Sequence, residues 1–136
     1  MPVEEVIHDF QKRCRVCYLA TCDQRQPRVR PMSPLAVEGN TIYMAAYASS
    51  GKIGEISSNP NVEVCYMDEK NRHIRCRGTA EIVNEPDLKR RLWQANRYVQ
   101  AYFASPRDPG FALLKIDVVE ALLMEADKLE YDVLEV

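Results

Sequence analysis

The residues best suited to chemistry in this chain gather between Arg28 and Lys52. Ser50-Gly51-Lys52 follows an apolar strand pattern and opens a short helical one. Ser50 suits the N-cap position, and Gly51 lets backbone come close to a ligand. Lys52 puts a cation in the first helical turn, where the helix dipole disfavours it. A phosphate docked at that point removes the conflict, because free N–H groups, a hydroxyl and an ammonium converge on one anion. Arg30, one strand earlier, can reach the same anion. The alternative is an ordinary hairpin followed by a surface helix, with Lys52 solvated.

Other chemistries find little support. With only His8 and His73, a histidine-based triad has few candidates, and neither a paired-carboxylate motif nor H-E-x-x-H occurs. Cys14 and Cys17 form a C-x-x-C. A redox pair of this kind normally sits at a helix N-terminus, where thiolate is stabilised, whereas this one falls at a helix end. A zinc site needs about four ligands, and no second pair supplies them. The two are expected to be small apolar fillers. The five cysteines, an odd number, favour free thiols over a disulfide framework.

Composition narrows the class further. The chain has 136 residues, 46% apolar and 28% charged, with a formal net charge of −2. This predicts one domain over residues 1–136 and argues against nucleic-acid binding driven by charge. No apolar run approaches the ~20 residues that span a membrane, and the acidic start, Met1-Pro2-Val3-Glu4-Glu5, lacks a signal-peptide pattern. A cytoplasmic protein with no membrane partner is expected.

The elements that position Arg30 and Lys52 are legible in outline. Val3, Val6, Ile7 and Phe10 form one helical stripe, with Pro2 at the first helical position. Val16 to Cys22 reads as a first strand and Arg28 to Val37 as a second, whose Pro31 and Pro34 demand an edge or an irregular course. Glu38-Gly39-Asn40-Thr41 turns into a third strand, Ile42 to Tyr47. A short helix, Lys52 to Ser58, is stopped by Asn59-Pro60-Asn61. A fourth strand follows over Val62 to Met67, then a long fifth in which Ile74, Cys76, Ala80 and Ile82 share a face and Gly78 marks a bulge or a close backbone contact. Pro86 opens a second major helix with a Leu88, Leu92, Ala95, Val99 stripe. Phe111 to Ile116 and Glu120 to Glu125 read as final strands, and Leu129 to Val136 as a strand or an arm on a partner. Strands joined by short turns, with no βαβ rhythm, predict a mainly β protein: an antiparallel barrel with peripheral helices.

Four pieces then stand in a telling order: Tyr18-Leu19-Ala20-Thr21, Pro27-Arg28-Val29-Arg30-Pro31-Met32, Ser50-Gly51-Lys52 with Glu55-Ile56 and Asn59-Pro60, and Arg75-Cys76-Arg77-Gly78-Thr79-Ala80. Together they resemble the pyridoxamine 5′-phosphate oxidase-like family of flavin-binding split barrels, over about Val16 to Val83. The resemblance implies a six-stranded antiparallel split β-barrel of Greek-key type with flanking helices. It implies a homodimer carrying two flavin mononucleotides (FMN) at the subunit interface. Arg30, Ser50 and Lys52 match positions that hold the phosphate, with Gly51 between them and Arg28 assisting. Backbone at Pro31, Met32 and Ser33 matches the lining of the isoalloxazine ring, and His73 falls where the oxidase has a glutamine against the cofactor. The departures are also informative. The family's Ser-Arg-Lys is Ser50-Gly51-Lys52, a ring-side lysine is Leu35, and a tyrosine and a threonine are Ala45 and Ala46. The arginine- and histidine-bearing segment that grips pyridoxine phosphate has no counterpart here. The expected function is therefore an FMN-dependent oxidoreductase acting on a small molecule other than pyridoxamine phosphate, with NAD(P)H as electron donor. The competing expectations are a flavin or haem carrier or redox sensor without turnover, and a deazaflavin-dependent reductase.

Overall fold

The computed structural model describes residues 2–136. Helix α1 (Val3–Arg13) buries the stripe Val3, Val6, Ile7 and Phe10, with Glu4 and Glu5 in its first turn and Lys12 and Arg13 in its last, the charge order a helix dipole favours. Pro2 sits one position earlier than expected, at the N-cap. Strands β1 (Cys17–Asp23) and β2 (Gln26–Met32) form a hairpin, β3 (Pro34–Glu38) and β4 (Thr41–Tyr47) a second, and helix α2 (Gly51–Ser58) leads to β5 (Asn61–Met67) and the long β6 (His73–Val83). Helices α3 (Pro86–Gln94) and α4 (Arg97–Tyr102) precede β7 (Phe111–Met124) and the short β8 (Asp132–Val133).

All strands belong to one antiparallel sheet, in the order β2-β1-β5-β6-β7-β4-β3, with β8 beside β7. The two ends of that order, β2 and β3, are consecutive in the chain and separated by Ser33 alone. The sheet must therefore curl until its ends come together at Ser33, as a split barrel does. Among the described residues there are eight strands where the resemblance implies six, and three of the boundaries differ from those read in the sequence, each for a physical reason. Pro34, with the register shift that leaves Leu35 unpaired, ends the ladder of the second strand and starts another on the opposite edge. The two strands expected after Phe111 are one. Val119 is an extra residue between Val118, which faces Gly78, and Glu120, which faces Arg77, so the ladder continues past a bulge. The C-terminal segment, expected as a strand or an arm, folds onto its own chain: Leu122 and Leu123 pair with Val133 and Asp132, Leu134 is buried, and the Val3 N–H donates to the Glu135 carbonyl at 2.9 Å.

The main core lies inside the barrel under α1, around Phe10, Leu19, Met44, Tyr66, Ile74, Cys76 and Leu114. A second cluster, with Tyr43, Leu92, Val99, Phe103, Phe111 and Leu113, packs between the outer face of β4 and β7 and the pair α3–α4. This explains why the first residues of β7 are buried on both faces. The expected single helix over Leu88 to Val99 is broken at Asn96, whose side-chain amide donates to the Leu92 carbonyl at 2.8 Å. Ala95 is consequently exposed rather than on the buried stripe. No helix among the described residues is long and apolar enough to cross a membrane.

Candidate functional site

The hairpins bring the basic strand and the α2 start together as the sequence suggested. Ser50 occupies the N-cap position in extended backbone, yet makes no side-chain cap bond. Its hydroxyl oxygen is buried without any hydrogen-bond partner. A buried, unpaired hydroxyl is costly, and at a helix N-terminus it stands beside N–H groups that also lack intrahelical partners. Two residues on, Lys52 is half-buried and has no carboxylate within ion-pair distance among the described residues. Burial first, and the positive charge of Arg30 second, push its ammonium below the usual lysine range, with Glu55 partly offsetting them. A hydroxyl, an ammonium and helix N–H groups thus share a place whose neighbouring carboxylate, Glu55, is paired with Arg30 and not with Lys52. A phosphate fits that donor set.

Arg30 is less free than expected. Its guanidinium donates to the Leu19 carbonyl at 3.2 Å, to Thr21 Oγ1 at 2.9 Å and to Glu55 Oε1 at 2.9 Å. Thr21, buried in β1, also donates to Glu55 Oε1, at 2.6 Å. The Thr21 hydroxyl first, and the Arg30 guanidinium after it, hold the Glu55 carboxyl below the usual glutamate range against the opposing effect of burial. Glu55 therefore fixes Arg30 in the wall of the site and cancels much of its charge. Arg28, on the same face of β2, is exposed and lies 3.7 Å from Asp23. Gly51 has room for a side chain, since an added Cβ would meet only Glu55 Oε2 at 3.4 Å. Its bareness is thus not demanded by this chain's own packing.

Beside Lys52 opens a cavity of about 270 Å³. One wall is Pro31, Met32 and Ser33 at the seam between β2 and β3, and a second is Ala45, Ala46 and Tyr47 at the end of β4. The third, which sequence reasoning missed, comes from α4 and the residue that follows it: Tyr98, Val99, Tyr102 and Phe103. Tyr47 packs on Phe103 with ring centroids 5.0 Å apart and edge-on to Tyr102 at 6.4 Å, and Phe103 stacks on Phe111 at 5.0 Å. The Tyr98 hydroxyl donates to the Ser33 carbonyl at 2.5 Å, tying α4 to the seam. The available signal was the i, i+4 spacing of Tyr98 and Tyr102, off the Leu92–Val99 stripe. A shallow, aromatic-sided slot next to an anion cradle suits a planar ring carrying a phosphate tail.

His73 is not brought to this cavity within the chain. Tyr47 faces Phe111 at one end of β7, while His73 faces Met124 at the other, where its Nε2 lies 2.9 Å from the Tyr131 hydroxyl. The cysteines are all free. Burial pushes the Cys17 thiol up to about 12, and burial followed by the charge of Asp68 raises Cys14, whose sulfur donates to the Met67 carbonyl. Protonated, buried thiols agree with a filling role for the C-x-x-C. No group of three or more metal-ligating side chains occurs among the described residues.

The family model described as pyridoxamine 5′-phosphate oxidase matches residues 3–125. The chain belongs to that family. General stress protein 26 of Bacillus subtilis (strain 168) is 28% identical over 128 residues, 91% of this chain and 89% of that protein. Among solved structures of similar fold, a nimC/nimA family protein from Clostridium acetobutylicum superposes with a TM-score of 0.85 at 27% identity, covering 98% of this chain and 92% of that one. A pyridoxamine 5′-phosphate oxidase-related, FMN-binding protein from Nostoc punctiforme gives 0.76 at 18% identity over 98% and 89%, a likeness of fold.

Proposed function

We propose that this family member binds FMN and works as an oxidoreductase on a small molecule. The observation that carries the reading is the buried, unpartnered Ser50 hydroxyl beside the uncompensated Lys52 at the start of α2, next to the aromatic-sided cavity. Ser50, Lys52 and the first α2 N–H groups would hold the phosphate, with Arg30 set behind them by Glu55 and Arg28 at the rim. The ring would lie along Pro31, Met32 and Ser33, facing Tyr47 and Tyr102. When bound, flavin supplies hydride and electron transfer, with a reduced nicotinamide as donor. The chain's own part is to orient the ring, keep water from one face and fix the charge near the phosphate. The FMN-binding description of the Nostoc relative supports this choice of cofactor over haem or deazaflavin.

A homodimer goes with this reading. The registers place Tyr18, Val29 and Met67 on one outer face of β1, β2 and β5, and all three are about half exposed or more. That face also carries the Glu63–Arg75 ion pair, and exposed apolar side chains set among self-paired charges suit a second copy of the chain. A cytoplasmic setting also agrees with five free thiols, which a reducing compartment preserves.

The test is selective loss of the phosphate. Lys52→Ala is expected to weaken FMN binding roughly ten- to a hundredfold, since a charge-assisted contact in a partly dry site is worth about 1.5–3 kcal/mol. Riboflavin, without the phosphate, should be little affected. Equal loss for both ligands, or for neither, would move the phosphate site elsewhere.

A further inference from the structure

Behind Tyr98 lies a second cavity, of about 550 Å³, between the end of α1 and the start of β3. It shares Ser33 and Tyr98 with the ring cavity, so the hydrogen bond between those two residues is the partition between the spaces. One side is rigid and neutral: Gln11 donates to the Pro34 carbonyl at 3.2 Å and accepts from the Tyr66 hydroxyl at 3.0 Å. The other side is cationic. Lys12 and Arg15 both line the cavity, both are exposed, and neither has a hydrogen-bond or ion-pair partner among the described residues. Arg13, between them, faces away and is taken by Asp9, Asp68 and Glu69. The nearby carboxylates Asp9 and Asp68 are shared with Arg72. No acidic side chain lines the cavity. Two uncompensated cations at one mouth, and a removable hydroxyl partition at the other, describe a place for a molecule with an anionic end and a neutral end that reaches the ring.

We propose that this second cavity binds the phosphate or carboxylate group of the protein's second substrate, on Lys12 and Arg15, with the rest of that molecule directed past Tyr98 and Ser33 toward the ring cavity. The proposal rests on the flavin reading for the identity of the first ligand, but not for the anion site itself.

The test is calorimetric titration at low ionic strength of FMN-saturated protein with sodium pyrophosphate, with NADP⁺ and with succinate. Wild type is compared with a Lys12→Gln/Arg15→Gln double variant whose FMN affinity is measured in parallel. Both residues are exposed, so the variant is expected to fold and to hold FMN within about twofold of wild type. At least one anion should bind wild type saturably, about tenfold or more tighter than the variant, and should perturb the flavin absorption spectrum. Binding of pyrophosphate and NADP⁺ alone identifies a phosphate-bearing substrate, and binding of succinate alone a carboxylate-bearing one. Saturable binding by none of the three, or equal binding by both proteins, overturns the proposal. The same titrations are run without flavin. If FMN does not bind but the anion difference persists, the flavin reading fails and the anion site stands. If FMN binds and the anion difference is absent, the reverse holds.

Discussion

Asp68 shows how much one turn residue holds in place. Its side chain is fully buried, yet it accepts from the N–H groups of Lys70 and Arg72 at 3.0 Å each, from Arg72 Nε at 3.0 Å and from Arg13 at 2.8 Å. Burial alone would raise its carboxyl, but the Arg72 backbone N–H, the Arg72 guanidinium and the Lys70 N–H together hold it below the usual aspartate range. A carboxyl lowered in this way adds stability above its unfolded pKa and loses it as pH falls through the folded value. Asp68→Asn removes the buried carboxylate that Arg13 and Arg72 share, while Asp9, Glu69 and Glu125 still face those guanidiniums, and is expected to cost about 1–3 kcal/mol near neutral pH. Urea titrations down the acid limb should show wild type losing stability below about pH 4, with a flatter limb in the variant. Parallel curves would assign the acid response to other carboxyls. Nothing local marked this residue: Asp68-Glu69-Lys70-Asn71-Arg72 reads as an ordinary polar turn, because Arg13, its partner, is 55 positions away. Glu55 was hidden in the same way, 25 positions from Arg30. Ser50 and Lys52, by contrast, were legible because their conflict with the helix start is local.

Among the elements, β6 and β7 leave no room for a side chain at Gly78. A Cβ there would stand 2.3 Å from the Asp117 carbonyl oxygen, a backbone atom that cannot swing aside. Gly78→Ala is therefore expected to destabilise by about 1–3 kcal/mol in a denaturant titration. Gly54→Ala is the contrast: nothing lies within 4 Å of an added Cβ in that exposed helical position. That change should stabilise by about 0.5–1 kcal/mol. Equal effects would mean that the tight β6–β7 approach is not what Gly78 serves. Elements with a strong period were legible, such as the α1 stripe and the alternation in β5. Boundaries set by a partner element were not. Val119 could not announce that β7 runs on through a bulge, and Asn96 could not announce a break in a helix whose stripe continued to Val99. The α4 aromatics went unassigned because they line the cavity only after that break redirects the chain.

At the scale of the whole molecule, the outer face with Tyr18, Val29 and Met67 predicts association. Sedimentation of the FMN-loaded protein is expected to show a dimer, and Val29→Glu with Met67→Glu should shift it toward monomer while the Ser50–Lys52 cradle stays in place. A flavin-loaded wild-type monomer at working concentrations would overturn the dimer. The sheet order carries a different consequence, for synthesis of the chain. Before β7 is present, β2-β1-β5-β6 and β3-β4 are two separate sheets, each with an open edge, since β7 alone pairs both β6 and β4. A chain emerging from the ribosome therefore leaves the β6 and β4 edges, which β7 later closes, unpaired until Phe111–Met124 has cleared the exit tunnel. That interval exposes β-prone apolar segments to neighbouring chains. Slow translation ahead of Phe111 should lower the soluble yield without any change in the stability of the finished protein.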